Sequence, residues 1–148
     1  MGQLFLGEFE HAVDERGRVA IPAKFRSGLA EGMVVTRGIE HCLILWPMDE
    51  WRQITDKLRQ FPLMNADARR LLRLLLSGAT DATADRLGRI LIPAFLREYA
   101  ALQDTAVLVG VLDRIEIWGQ ENWERERSSL EEQGPVLAEH LFSLGVQP

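Results

Sequence analysis

The residues with the clearest chemical potential form an Asp-x-x-Gly-Arg element that occurs twice, at Asp14–Arg18 and at Asp85–Arg89. Glycine permits a backbone angle that other residues resist. Aspartate accepts hydrogen bonds from the amides of a turn, and arginine carries a planar fork of donors. An arginine fixed in this way at a strand end can read a guanine edge or grip a phosphate. The same residues equally suit a β-turn in which arginine and aspartate pair with each other. Basic residues gather around both copies. Residues 14–26 hold four bases (Arg16, Arg18, Lys24, Arg26) against two acids, and residues 85–97 hold three (Arg86, Arg89, Arg97) against one, so each segment is +2. Phosphate contacts made by such clusters would weaken with salt. Arg26 and Arg97 fall on short helices after the turns and read as surface residues.

Other chemistry finds little support. His41 and Cys42 are adjacent, His11 is distant, and Cys42 is the one cysteine, which does not make a structural zinc site; no metal and no cofactor is expected. Asp81 and Asp85, four apart on one face of a predicted strand, could act as paired carboxylates. No nucleophile or phosphate-binding loop accompanies them, so an enzyme is not expected. Trp46, Trp51, Trp118 and Trp123 read as core or interface anchors rather than base-stacking platforms.

The elements that position these residues come from an internal repeat. Residues 14–26 return at 85–97, shifted by 71 and identical at seven of thirteen positions; Gly7 returns as Gly78. Farther on, Leu45-Trp46 to Trp51 answers Ile117-Trp118 to Trp123, shifted by 72. Each copy predicts an approach strand (6–13 and 77–84), the Asp-Gly-Arg turn, and a short apolar strand (19–21 and 90–92). Proline then withdraws a ladder donor and can open a brief helix, over 23–28 and 94–101. Two strands follow in each copy, 33–37 with 42–46 and 106–111 with 114–118, joined by turns at 38–41 and 110–113. Acids open helices at Asp49 and Glu121. Asn65 can cap a linking helix that ends at Leu76. Gly134-Pro135 is expected to break the last helix, leaving a short apolar one over 136–144. The divisions are a first repeat at 5–60, the linking helix at 61–76, a second repeat at 77–123 and a C-terminal helical tail at 124–148. Neither repeat is long enough to bury a good core alone, which implies one joint architecture with approximate two-fold symmetry.

Charge and composition limit the classes. Of 148 residues 47% are hydrophobic and 26% charged, ordinary values for a globular protein. No apolar run approaches the roughly 18 residues of a membrane span. The N-terminal stretch Met1–Leu6 lacks a basic region and a long apolar run, so it does not read as a secretory signal, and Leu6 fails the myristoylation pattern. A lone cysteine fits a reducing cytoplasm. The net charge is −5. From Glu116 onward seven acids face two arginines, which accounts for all of it, so residues 1–115 are neutral. Arginines outnumber lysines 15 to 2, a bias suited to bidentate contacts.

The string Phe5-Leu6-Gly7-Glu8-Phe9, the doubled Asp-x-x-Gly-Arg-x-x-Ile-Pro element and the two tryptophan pairs closely resemble the MraZ family. That family sits within the AbrB/SpoVT-like group of swapped-hairpin transcription factors and antitoxins, and the resemblance spans about residues 4–145. It implies a mainly β fold with helices (α+β), a double-split β-barrel in which two tandem swapped-hairpin repeats of one chain replace the two chains of an AbrB-type dimer. It further implies a sequence-specific DNA-binding regulator of transcription, a repressor of the division and cell-wall operon. Such a regulator binds short direct repeats of double-stranded DNA upstream of its own gene, assembles into ring-shaped homo-oligomers and associates with the nucleoid in the cytoplasm. No membrane and no small-molecule substrate is implied. By residue, the DNA-contacting arginine carries over to Arg18 and Arg89, with turn support from Asp14, Gly17, Asp85 and Gly88. Arg16 fills the basic position before the first turn glycine. Leu87 occupies it in the second copy, with Arg86 one place earlier, so the first turn is the stronger candidate; Arg16, Arg86 and Lys24 would add phosphate contacts. The alternative is an AbrB-type antitoxin-like interaction module acting through the acidic tail, although duplication in one chain and a helical tail argue against it.

Overall fold

The computed structural model describes residues 4–147; Met1–Gln3 of the N-terminal stretch and Pro148 of the tail lie outside the described residues. The first repeat gives β1 (Phe5–Ala12), β2 (Arg18–Ala20), α1 (Ala23–Arg26) with a 3-10 turn at Ser27–Leu29, β3 (Met33–Arg37), β4 (Leu43–Pro47) and α2 (Met48–Leu58). After α3 (Ala66–Ser77) the second repeat gives β5 (Thr80–Ala82), β6 (Arg89–Leu91), α4 (Ala94–Tyr99), β7 (Thr105–Leu112), β8 (Arg114–Gly119) and α5 (Gln120–Ser143). Asn65 caps α3 through its side-chain oxygen, which accepts the Ala68 amide at 3.0 Å.

Strand pairing crosses between the repeats. One sheet runs β1-β7-β8-β4-β3-β5, and β2 pairs with β6 in a second, two-stranded ladder. The first repeat's β1 therefore lies on the second repeat's β7, from Phe5↔Leu112 to Ala12↔Thr105. The second repeat's β5 lies on the first repeat's β3. Because β2 continues from β1 and β6 from β5, the small ladder links the two edges of the larger sheet. The result is a double-split β-barrel with pseudo-two-fold symmetry in one chain.

The larger hydrophobic cluster holds residues from both halves: Phe5, Val19, Ile21, Phe25, Val35 and Leu45 with Ile90, Ile92, Leu96, Leu108, Ile115 and Ile117, each at most 1% exposed. Phe25 meets Phe5 and Phe9 edge-on at centroid distances of 5.5 and 5.2 Å. At the centre of the small ladder Val19 faces Ile90 and both are fully buried. That pair turns its neighbours outward, since successive side chains of a strand alternate faces. Trp46, Trp118 and Trp123 are buried and Trp51 is half-buried. The indole N–H of Trp123 donates to Glu8 at 2.6 Å, which ties the start of α5 to β1.

The structure departs from the sequence expectations at several elements. The approach strand expected over 77–84 shrinks to Thr80–Ala82, because α3 continues through Ser77. Both short strands of the ladder begin and end one residue earlier than expected, at Arg18–Ala20 and Arg89–Leu91. Gly110 is not in the hairpin turn but inside β7, opposite Gly7 and Ile115. A Cβ there would stand 2.4 Å from the Leu6 nitrogen, so this glycine serves the close approach of β1; the turn lies at Leu112–Asp113, with Leu112 at φ 68. Asp81 is in β5 and Asp85 in the turn beyond it, so they share no strand face. Finally, α5 runs unbroken through Gly134-Pro135. A proline removes one helical hydrogen bond, but this stretch is solvent-exposed and the freed carbonyl can take water instead.

Candidate nucleic-acid interface

Each Asp-x-x-Gly-Arg segment closes on itself through its aspartate. Asp14 Oδ1 accepts the amides of Arg16 (2.9 Å) and Arg18 (2.8 Å), while Oδ2 accepts Arg18 Nε at 2.8 Å. Asp85 repeats the pattern with the amides of Leu87 and Arg89 and with Arg89 Nε, all at 2.9 Å. The backbone adds Gly17 N to Asp14 O and Gly88 N to Asp85 O, each 2.9 Å. Gly17 and Gly88 stand at φ +84 and +77, the left-handed region where a Cβ is unwelcome. The amide of Arg18 holds the Asp14 carboxyl below the usual carboxylate range, with the Arg18 side chain and the Arg16 amide reinforcing it against partial burial. The amide and side chain of Arg89 and the amide of Leu87 do the same for Asp85.

The turns deliver their arginines to the outer face of the β2–β6 ladder. Arg18 stands opposite Leu91 and Arg89 opposite Ala20, so the outward face bears two arginines, one alanine and a leucine that is 56% exposed. The arginine side chains are 31% and 30% exposed. Their short bonds to aspartate use Nε, which leaves the terminal nitrogens uncommitted by those bonds. The pairing of Arg with Asp, one of the two readings open from sequence, therefore occurs without withdrawing the guanidinium from the surface. A carboxylate that fixes Nε orients the fork.

The halves also lock to each other here. Ile21 N donates to Gly88 O at 2.8 Å and Ile92 N to Gly17 O at 2.9 Å. Arg89 Nη1 reaches to 3.7 Å from Asp14 Oδ2. The structure thus brings together Asp14, Gly17, Arg18, Asp85, Gly88 and Arg89. Arg16, Arg86 and Leu87 are exposed at the turn tips, with Leu87 65% exposed. Lys24 is exposed on α1, outside the turns and the ladder.

Arg26 and Arg97 require a correction. Arg26 is exposed as expected and Arg97 is half-buried, but each also lays its guanidinium against the turn glycine of the other repeat: a Cβ on Gly88 would stand 2.5 Å from Arg26 Cζ, and one on Gly17 2.6 Å from Arg97 Cζ. The only signal in the sequence is that both arginines recur at the 71-residue shift.

Among the described residues no three of His, Cys, Asp and Glu are arranged to hold a metal ion. His41 stacks on Tyr99 at 4.7 Å, with Nδ1 3.4 Å from the Tyr99 carbonyl. Cys42 is buried, and desolvation, followed by the charges of Glu116 and Glu40, pushes its thiol up to about 12. A thiol held there is a small hydrophobe rather than a nucleophile. No described helix is long and apolar enough to cross a membrane.

Comparison with known proteins agrees with this architecture. A family model described as "MraZ protein, putative antitoxin-like" matches the chain twice, over residues 4–74 and 75–135. The chain is 47% identical to the transcriptional regulator MraZ of Herpetosiphon aurantiacus over 97% of its own length and 100% of the relative's. It is 44% identical to that of Natranaerobius thermophilus with the same coverage. The regulator of Moorella thermoacetica is 43% identical, again over 97% and 100%. With both repeats matched and relatives aligned along nearly their whole length, the chain belongs to the MraZ family.

Proposed function

We propose that this chain regulates transcription by binding double-stranded DNA in a sequence-dependent manner through the outer face of the β2–β6 ladder. The observation that carries this reading is the pair Arg18 and Arg89, set on one two-stranded ribbon and each oriented by its own aspartate. A two-stranded ribbon is an element that the major groove admits, and arginine there reads guanine bidentately. Arg16 and Arg86 at the turn tips supply phosphate contacts, with Lys24 flanking. In the second turn Leu87 stands where the first has Arg16, so the first turn contributes more. The printed names of the relatives, transcriptional regulators, support the same reading.

In its finer form the proposal is a repressor of the division and cell-wall operon that acts on short direct repeats upstream of its own gene, associated with the nucleoid in the cytoplasm. One ladder offers few contacts, so a single repeat is bound weakly. Copies of this chain joined in a ring would engage consecutive repeats and gain affinity through effective concentration. In α5 the exposed Leu130, Leu137 and Leu141 recur at helical spacing, with Leu144 exposed at its C-cap, which supports a helix partner from another copy. The same acidic, partly apolar helix also suits the antitoxin-like reading, in which a small basic protein would co-purify in stoichiometric amount.

The test is quantitative binding to duplexes from the DNA upstream of the gene, against a shuffled duplex of equal length and across salt concentrations. Specific retention with a clear inverse dependence on salt is expected. Equal affinity for both duplexes would remove the sequence-specific reading.

A further inference from the structure

The guanidinium of Arg26 lies flat over Gly88. A Cβ on Gly88 would stand 2.5, 2.6 and 2.7 Å from its Cζ, Nε and Nη2, and the near-equal distances mark face-on stacking. The guanidinium of Arg97 lies over Gly17 in the same way, with corresponding distances of 2.6, 2.7 and 2.7 Å to Cζ, Nε and Nη1. These contacts cross the repeats, as do the hydrogen bonds from Ile92 N to Gly17 O and from Ile21 N to Gly88 O. Each turn is thus held by an amide and a guanidinium of the other half. Arg26 is further fixed by Nε to Ile21 O at 3.0 Å and by a long contact of Nη2 with Leu87 O at 3.5 Å. Arg97 Nε, in contrast, is buried with no hydrogen-bond partner, a cost that the packing of its guanidinium on Gly17 must offset.

We propose that Arg26 and Arg97 are crossed positioning residues for DNA contact: Arg97 fixes the turn that carries Arg18, and Arg26 fixes the turn that carries Arg89. The inference rests on the DNA reading of the ladder face. It explains why the positions under the guanidiniums are glycine twice over, by φ and by lack of space. It also makes each repeat's arginine depend on a side chain of the other repeat. A direct phosphate contact by the terminal nitrogens of Arg26, which is exposed, or of Arg97, which is half-buried, is the competing role.

The two roles separate in the full-length protein. Amide hydrogen exchange without DNA should quicken at residues 16–18 in Arg97→Ala, about five- to tenfold, the factor that loss of one hydrogen-bond-sized interaction gives. Exchange at 87–89 should stay near the wild-type rate. Arg26→Ala should show the reverse. In binding to the upstream duplex, Arg97→Ala should cost affinity on its own and in an Arg89→Ala background, yet add little to Arg18→Ala, the non-additivity of residues that act through one another. Arg97→Lys keeps the charge without the plane and should behave as Arg97→Ala. The slope of log affinity against log salt should remain as in wild type, whereas a lost phosphate contact lowers it by about 0.9. A lowered slope, rescue by lysine, or unchanged exchange would overturn the proposal. If Arg18→Ala itself leaves affinity unchanged, the DNA reading fails and takes this role with it, even where the crossed exchange pattern appears. If Arg18→Ala weakens binding and Arg97→Ala changes neither readout, the crossed clamp alone is wrong.

Discussion

Asp14 Oδ2 lies 2.8 Å from Arg18 Nε and 3.7 Å from Arg89 Nη1, so one carboxylate of the first repeat serves the outward arginines of both. Asp85, among the described ion pairs, serves Arg89 alone. The two turns, alike in sequence, are therefore unequal in charge pairing.

That inequality predicts unequal mutants. Asp14→Asn frees Arg18 and takes from Arg89 its second carboxylate, leaving Arg89 on Asp85, whereas Asp85→Asn leaves Arg18 held and Arg89 with the 3.7 Å contact to Asp14. Removing a negative charge also raises affinity for any DNA, because it strengthens the general attraction to phosphate. The ratio of specific to non-specific affinity should thus fall in both variants, and further in Asp14→Asn. Competitive titration with target and shuffled duplexes measures it; a larger loss in Asp85→Asn would contradict the shared-carboxylate reading.

Acid should unfold the turns in a defined window. The Asp14 and Asp85 carboxyls are held below their ordinary value in the folded chain. Their contribution to stability is therefore complete above the unfolded aspartate value, about 3.9, and is lost as pH falls through the lowered folded values. Thermal melts from neutral pH down through this range should show a steeper decline in wild type than in the Asp14→Asn, Asp85→Asn double variant. Parallel curves would count against it.

Glu126 carries the opposite sign. Burial raises it first, then a hydrogen bond with Glu40 and the charges of Glu40 and Glu116. Its ionised form costs the folded state stability above the raised value, and the cost disappears as pH falls through it. Glu126→Gln should raise Tm at pH 7, with a gain that shrinks as pH falls through the raised value and is gone below the unfolded glutamate value of about 4.3. A gain independent of pH would mean that the repulsion is not its source.

The crossed sheet predicts a further outcome. A methyl on Gly110 would press on the Phe5–Leu6 backbone, 2.4 Å from Leu6 N and 2.5 Å from Phe5 C. Overpacking of this kind costs about 1–3 kcal/mol. Gly110→Ala should lower Tm and release the amides of β1 to exchange before those of β3 and β4. Equal protection throughout would argue against β1 resting on β7.

Much of this was legible in the residues. The 71-residue shift, the paired Val19-Ala-Ile21 and Ile90-Leu-Ile92 strands and the Asp-Gly-Arg chemistry announce two alike units and their turns. Which approach strand joins which hairpin was not legible from local pattern. A duplicated chain offers the same apolar face to either partner, and only closure of the whole core decides. Gly110 resembles a turn residue because close approach and turning both require a missing Cβ. Arg26 and Arg97 sit on short helices whose exposed side would suit any arginine; their partners are glycines some 60 to 80 residues away, invisible to local reading.

The central claim is that the ladder's outer face reads DNA through Arg18 and Arg89. Its most direct measurement is equilibrium titration of the upstream duplex with wild type, Arg18→Ala, Arg89→Ala and the double variant, each with an unaltered melting profile at neutral pH. Loss of one bidentate base contact costs about 1–3 kcal/mol. A fall of that size is expected in Arg18→Ala, a smaller one in Arg89→Ala, and little binding above the shuffled duplex in the double variant. A folded double variant that binds the upstream duplex as wild type does would contradict that claim.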